Sequence, residues 1–244
     1  MHNKDSDYNN ILALITHDLK SPLTAVFGAF ELLSEDDLTD EEKTQLLKSG
    51  MKASKSIMKL IDNILTMSKM EAGKNVIEYK NIDNLYEEIS SIQKTFKYEI
   101  KMKNINFSVD IEDDLPLVSC DFDALHYHVL NNLISNAIKF TPSGGNIKFS
   151  VKAKENNIII VIKDDGIGIE KKKRKTIFDK YDTHNNQKVF KGTGLGLYNA
   201  HYFITQHKGT IEAIKGIKEK GIGFKIVLPI VVNPLVSLKS NIHD

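Results

Sequence analysis

The sequence predicts an α part followed by an α+β part, and three observations carry that prediction. Two long stretches of helical apolar periodicity fill residues 1–73. From residue 74 on, short β-rich runs alternate with helical ones, the pattern of an α/β layer sandwich. Polar strings of unusual composition sit on these elements in a fixed order, one around His17 and three between Asn132 and Leu197.

In the first stretch, apolar or small residues recur at Leu12, Ile15, Leu19, Pro22, Val26, Ala29 and Leu33, alternately three and four apart. Leu14, Leu23, Phe27 and Phe30 flank that seam and widen it. The polar string Ser34-Glu35-Asp36-Asp37 ends the pattern, and Thr39 with Glu42 predicts a capping box for a second helix. That helix carries Leu47, Met51, Met58, Ile61 and Leu65 on one face, beside Ile57 and Ile64, and stops at Gly73. An isolated pair cannot bury two such broad stripes, so a four-helix bundle formed by dimerisation is expected.

Beyond Gly73 the patterns predict strands at 76–80, 105–111, 146–153, 157–163, 210–214 and 223–228. Helices are predicted at 82–101, 125–140 and 195–207. The expected domains are 1–73 and 74–233, followed by a frayed tail over 234–244.

Bulk composition narrows the functional classes. The 244 residues are 41% hydrophobic and 27% charged, as in a folded globular chain. A formal net charge of +1 supplies no bulk attraction to nucleic acid or to an anionic membrane, and neither is expected as a partner of this segment. One cysteine, Cys120, rules out an internal disulfide framework and fits a reducing compartment. No apolar run approaches the ~20 residues needed to span a bilayer, and residues 1–10 lack the apolar core of a secretory signal. The expected location is the cytoplasm, whether the chain is free or the cytoplasmic part of a membrane-anchored sensor.

With Leu12, Ile15 and Leu19 on the seam, His17 falls on the solvent side of its helix. An exposed imidazole is an available nucleophile at cellular pH. A carboxylate at Asp18 can accept the Nδ1 proton, leaving Nε2 as the attacking atom. Ser21 lies one turn on, on the same face, and Pro22 is expected to bend or loosen the helix beside the site. A lone surface histidine would carry no such meaning; the string Thr16-His17-Asp18-Leu19-Lys20-Ser21-Pro22-Leu23 does. His126 and His128 have no Cys or carboxylate cluster at metal-ligand spacing and read as structural.

The downstream strings have the chemistry of a nucleotide site. Asn132 and Asn136 project from one helix face, and an amide oxygen is a hard ligand suited to magnesium. Lys139 follows within reach of the same phosphates. Asp164-Asp165-Gly166-Ile167-Gly168-Ile169 ends an apolar strand, placing a carboxylate where it can accept from an adenine amino group, while Gly166 and Gly168 permit close backbone approach. Gly192-Thr193-Gly194-Leu195-Gly196-Leu197 leads into a helix whose first amides can meet phosphate. It is neither a Walker loop nor a dinucleotide fingerprint. The polar segment 178–191 between the glycine strings reads as a lid.

Together these strings resemble the catalytic core of the sensor histidine kinases of two-component systems. His17 matches the H box, Asn132 and Asn136 the N box, 164–168 the first G box, Phe178 the F box and 192–197 the second G box. The likeness runs from about residue 11 to residue 229 and includes Met70-Glu71-Ala72-Gly73. It implies a homodimeric phosphoacceptor bundle followed by a Bergerat-type (GHKL) ATP-binding sandwich. It also implies ATP-dependent phosphorylation of His17, then transfer to an aspartate in the receiver domain of a response regulator, with ATP and Mg2+ as cofactors. Carried over by position, Asp18 is the acid/base partner and Asn136 the magnesium ligand. Asn132 and Lys139 belong to the magnesium or phosphate shell, Asp164 recognises adenine, and the glycines of 192–196 shape the lid end.

This chain departs from the family's pattern in three places. Ser21 stands where Thr or Asn often serves a phosphatase reaction on the regulator, Asp165 replaces the usual Asn, and the lid has no arginine. Lys180, Lys188 or Lys191 is left to neutralise phosphate charge. Two alternatives stay open on the residues alone: a GHKL-type ATPase that turns over ATP without a phosphoenzyme, and a non-enzymatic dimeric scaffold with a degenerate nucleotide site. Asn132, where such ATPases place a water-activating glutamate, argues against the first, and the filled site positions argue against the second.

Overall fold

The structure is a computed structural model that describes residues 2–35, 37–74, 77–82, 84–180 and 194–230. The chain divides into two compact units, a helical hairpin and a mixed sheet-and-helix unit.

The hairpin consists of α1 (His2–Leu33) and α2 (Asp40–Glu71). The capping box is formed: Glu42 N donates to Thr39 Oγ1 at 3.3 Å, and Thr39 N donates back to the Glu42 carboxylate at 2.9 Å. Asp40, Glu41 and Glu42 in the first turn face the positive end of the helix dipole. At the other end Gly73 adopts φ +64°, which lets Gly73 N and Lys74 N close back on the carbonyls of Met70 and Lys69. Helix α1 stays continuous through Pro22. The side chains of Leu12 and Leu14 lie outside the described residues.

Ile15, Leu19, Pro22, Val26 and Leu33 are half-buried and Ala29 is buried, as the seam requires. On α2 the buried set is Ala53, Leu60, Met67 and Met70, and Gly50 brings the two backbones close opposite Ala29. The α2 face read from the sequence, Leu47, Met51, Met58, Ile61 and Leu65, is left exposed by the hairpin, as are Leu23, Phe27 and Phe30 on α1. The second helix therefore carries two apolar stripes, and the hairpin uses the one with smaller residues.

The second unit opens with β1 (Lys80–Ile82), α3 (Leu85–Thr95), α4 (Lys97–Met102), β2 (Asn106–Ile111) and β3 (Val118–Cys120). Helix α5 covers 122–140 and is followed by β4 (Asn146–Lys154), β5 (Asn157–Asp164), α6 (Leu195–Gln206), β6 (Thr210–Lys215) and β7 (Ile222–Pro229). The main sheet runs β2-β4-β5-β7-β6, with β2 parallel to β4 and every other pair antiparallel; β1 and β3 form a separate antiparallel pair. Period-two alternation buries Ile147, Phe149 and Val151 on β4, Ile158, Ile160 and Ile162 on β5, and Ile222, Phe224, Ile226 and Leu228 on β7. Leu133, Ile134, Ala137 and Ile138 of α5 and Ala200, Phe203 and Ile204 of α6 are buried with them.

The structure departs from the predicted elements in four places. The strand expected at 76–80 begins at Lys80, and its first residue lies outside the described set. The helix expected over 82–101 breaks at Phe96, which is buried and carries non-helical backbone angles. Strand β3 went unpredicted because a three-residue strand leaves no period to read. Helix α5 starts earlier than expected, capped by Asp121 Oδ1 accepting from Ala124 N at 2.9 Å, and holds a π turn over Leu125–Leu130. The tail over 234–244 lies outside the described residues.

Candidate functional site

The candidate site residues fall into two sets, one around His17 and one around Asn132 and Asp164. In the hairpin, His17 is exposed on α1 with 62% of its side chain open to solvent, while the Asp18 carboxylate is only 12% exposed. His17 Nδ1 and Asp18 Oδ1 lie 3.1 Å apart, the spacing at which Nδ1–H donates to the carboxylate and Nε2 keeps its lone pair outward. Ser21 is exposed one turn along.

In the second unit, the π turn of α5 prepares the asparagine helix. A π turn widens the backbone ladder, here with Asn131 N bonding to His126 O. His128 O is then taken by the Asn132 side chain, whose Nδ2 donates to it at 2.7 Å. That bond fixes the amide: Asn132 is buried, and its Oδ1 faces Gly196 at the start of α6, where a Cβ would stand 3.3 Å away. Asn136, one turn on, is half-buried, and its amide bonds to no described residue. Lys139 lies in the last turn, with Nζ 5.1 Å from the Phe140 ring centroid. His126 and His128 serve packing: His126 stacks on Tyr127, and His128 stacks on Phe203 of α6.

Asp164 owes its position to strand alternation. It is in phase with Ile158, Ile160 and Ile162, so its carboxylate is carried to the buried face and is 3% exposed. Oδ1 accepts from Gly166 N at 2.9 Å and Ile222 N at 3.2 Å, whereas Oδ2 accepts from no described residue. Glycine is required around it. Gly168 and Gly221 both take φ +68° and face each other, and a Cβ on Gly221 would overlap the Asp164 carboxylate. Burial raises the Asp164 carboxyl above its ordinary value, the two backbone N–H groups pull it back, and neighbouring Asp165 adds to the rise. Asp165 behaves oppositely. Burial pushes it up, but the Asn146 side-chain amide at 2.6 Å, the Asn146 N–H at 2.8 Å and Lys220 outweigh that and lower it. Asp165 thus ties β4 to the end of β5.

Ile169 is half-buried and its carbonyl accepts from Arg174 Nε at 3.1 Å. Gly194 has φ +67° and Leu195 is fully buried at the start of α6. Lys191, Gly192 and Thr193 lie outside the described residues, as do Lys188 and most of the expected lid. Sequence reasoning missed Ile222, whose backbone N–H holds Asp164, and Lys103, whose ammonium reaches α5. Neither role has a side-chain signal in the sequence.

A buried carboxylate ending a central strand, ringed by glycines and set beside an asparagine-bearing helix, defines an ATP-binding unit of the GHKL class; here it follows a hairpin that presents a histidine. Comparison with known proteins agrees. A family model described as the His Kinase A (phospho-acceptor) domain matches residues 8–73, and one described as the histidine kinase-, DNA gyrase B-, and HSP90-like ATPase matches residues 120–232. Sensor protein KdpD of Clostridium acetobutylicum is 34% identical over 91% of this chain and 24% of its own length. Adaptive-response sensory kinase SasA of Microcystis aeruginosa is 31% identical over 91% of this chain and 59% of its own. The Acinetobacter baumannii histidine kinase AdeS shares the fold, with a TM-score of 0.67 at 24% identity over 88% of this chain and 98% of that one. The chain belongs to the histidine kinase family and is a two-component catalytic core. It spans less than two thirds of the length of the curated relatives named here. Among the described residues no helix is long and apolar enough to cross a membrane.

Proposed function

We propose that this chain transfers the γ-phosphoryl group of ATP to His17 Nε2 and passes it on to an aspartate in the receiver domain of a response regulator. The observation that carries the reading is the His17–Asp18 pair, an outward imidazole whose other nitrogen is held by a shielded carboxylate. In the first step the Nε2 lone pair attacks the γ-phosphorus, the bond to the β-phosphate oxygen breaks, and ADP leaves. Asp18 holds the Nδ1 proton and stabilises the positive ring that forms. In the second step the receiver carboxylate attacks, the P–N bond breaks, and the imidazole returns neutral. Ser21 would orient a water that attacks the regulator's aspartyl phosphate, breaking the acyl P–O bond and releasing inorganic phosphate. Because ATP is the donor, the working compartment is the cytoplasm, and 1–73, 74–233 and 234–244 are the domain bounds that fit this division of labour.

Asp164 Oδ2 is the acceptor for the adenine amino group, with Gly166 and Gly168 giving the flat base close approach. The donor set also fits magnesium. Asn136 offers an uncommitted amide oxygen, and the Asn132 oxygen is turned toward α6 by the bond to His128. Magnesium, when bound, neutralises triphosphate charge. Asn136 would hold it, and Lys139 would hold phosphate with the amides of 192–196. Asn136→Ala is expected to weaken magnesium-dependent ATP binding about 100-fold, and unchanged affinity by calorimetry would remove Asn136 from the site.

The exposed apolar face of the hairpin fits a second copy. Phe27 is 64% and Met51 62% exposed on helices that otherwise pack. Phe27→Glu together with Met51→Glu is expected to convert a dimer to a monomer by light scattering, and a dimer that persists would place the interface elsewhere.

ATP turnover separates this reading from a GHKL ATPase. ADP release that stops once each chain is phosphorylated supports the kinase. Continued release with no phosphoenzyme supports the ATPase.

A further inference from the structure

We propose that Lys103 is a positioning residue for the triphosphate, holding the phosphate-binding end of α5 and cancelling the negative end of that helix. The inference rests on the reading of Asn136 and Lys139 as magnesium and phosphate groups.

Lys103 follows directly on α4, outside the site strings. Its Nζ donates to the carbonyls of Ile138, Lys139 and Thr141 at 2.8, 3.0 and 2.9 Å. These carbonyls close the helix that carries Asn132, Asn136 and Lys139. Its own carbonyl accepts from Gly144 N at 3.0 Å and Ser143 Oγ at 2.9 Å, so one residue grips both the last turn of α5 and the turn that follows. Its backbone N–H donates to the Glu99 carbonyl at 3.1 Å, and among the described residues none of its bonds is to a carboxylate.

The last carbonyls of a helix have no partner within it and carry about half a negative charge. Water could satisfy their hydrogen bonds, but water would leave that charge in place. Asn136 and Lys139 lie in the last two turns of α5, so a triphosphate bound there meets the wrong end of the dipole. An ammonium on three of the orphan carbonyls reverses the sign, and no acidic side chain consumes its charge. The same grip sets the direction in which Asn136 and Lys139 project.

The test is the ratio of ATP to AMP affinity, each with magnesium, in the full chain and in Lys103→Met, Lys103→Gln and Lys103→Arg. A ratio within one variant is insensitive to the folded fraction, and Gln, which is shorter but still a donor, gives a second uncharged variant if Met does not fold. The expected result is a roughly tenfold fall in the ratio for Met and Gln, an intermediate fall when ADP replaces ATP, and near-normal behaviour for Arg. An equal loss for ATP, ADP and AMP would make Lys103 a purely structural cap, and no loss would remove it from binding; either overturns the proposal. Asn136→Ala, run alongside, separates the two claims. If it leaves the ratio unchanged, the phosphate placement itself fails; if it lowers the ratio while the Lys103 variants do not, only the role of Lys103 fails.

Discussion

His17→Gln yields a protein that binds ATP normally and is never labelled by its γ-phosphate. Glutamine keeps a polar, helix-compatible side chain on the exposed face of α1, where 62% of the His17 side chain is open to solvent, so the hairpin folds unchanged. What is lost is a nitrogen lone pair: an amide nitrogen is not a nucleophile, and no neighbour can replace it. Phosphoenzyme formation should fall by at least about 10³-fold. Affinity for ATP should hold, because Asp164 and Asn136, the groups proposed to hold adenine and magnesium, belong to the other unit. Labelling of the variant at the rate of the unaltered protein would mean that another residue is the acceptor.

Asp164→Asn should have the largest effect on nucleotide binding. The amide is isosteric, and its oxygen can still accept from Gly166 N and Ile222 N, so the pocket survives. The atom replacing Oδ2 is then a donor facing a donor, the adenine amino group. ATP affinity should fall about 100-fold or more, while a 6-oxo purine triphosphate gains relative to ATP. Retention of ATP preference would show that adenine is read elsewhere.

The same substitution has a stability consequence of known sign. The folded-state carboxyl of Asp164 is raised above its ordinary 3.8, with burial as the largest cause, so the folded protein holds this proton more tightly than the unfolded chain does. The ionised group therefore costs stability at neutral pH, and that cost shrinks as pH falls from the folded value toward 3.8. Nucleotide-free Asp164→Asn should melt higher than the unaltered protein at neutral pH, with the difference fading on acidification.

Legibility followed periodicity. The alternation of β5 placed Asp164 at the strand end, and the heptad seam of α1 put His17 on the outside, because both rest on repeats several residues long. The stripe of α2 that stands out in the sequence is the one the hairpin leaves exposed, and the smaller set Ala53, Leu60, Met67 and Met70 that packs within it went unread, since periodicity identifies a stripe but not its partner. Lys103 and the π turn were invisible: one acts through side-chain bonds to backbone carbonyls, and the other is a change of ladder within an ordinary helical pattern. The buried bond from Asn132 to His128 follows from that turn and was hidden with it.

The central claim, that His17 is a phosphoacceptor, is tested most directly by incubating the purified chain with γ-labelled ATP and magnesium, then treating the labelled band with acid and with alkali. Phosphohistidine loses its label in acid and keeps it in base, and that is the expected pattern. A band that survives acid, or no band despite measurable ATP binding, would contradict the claim.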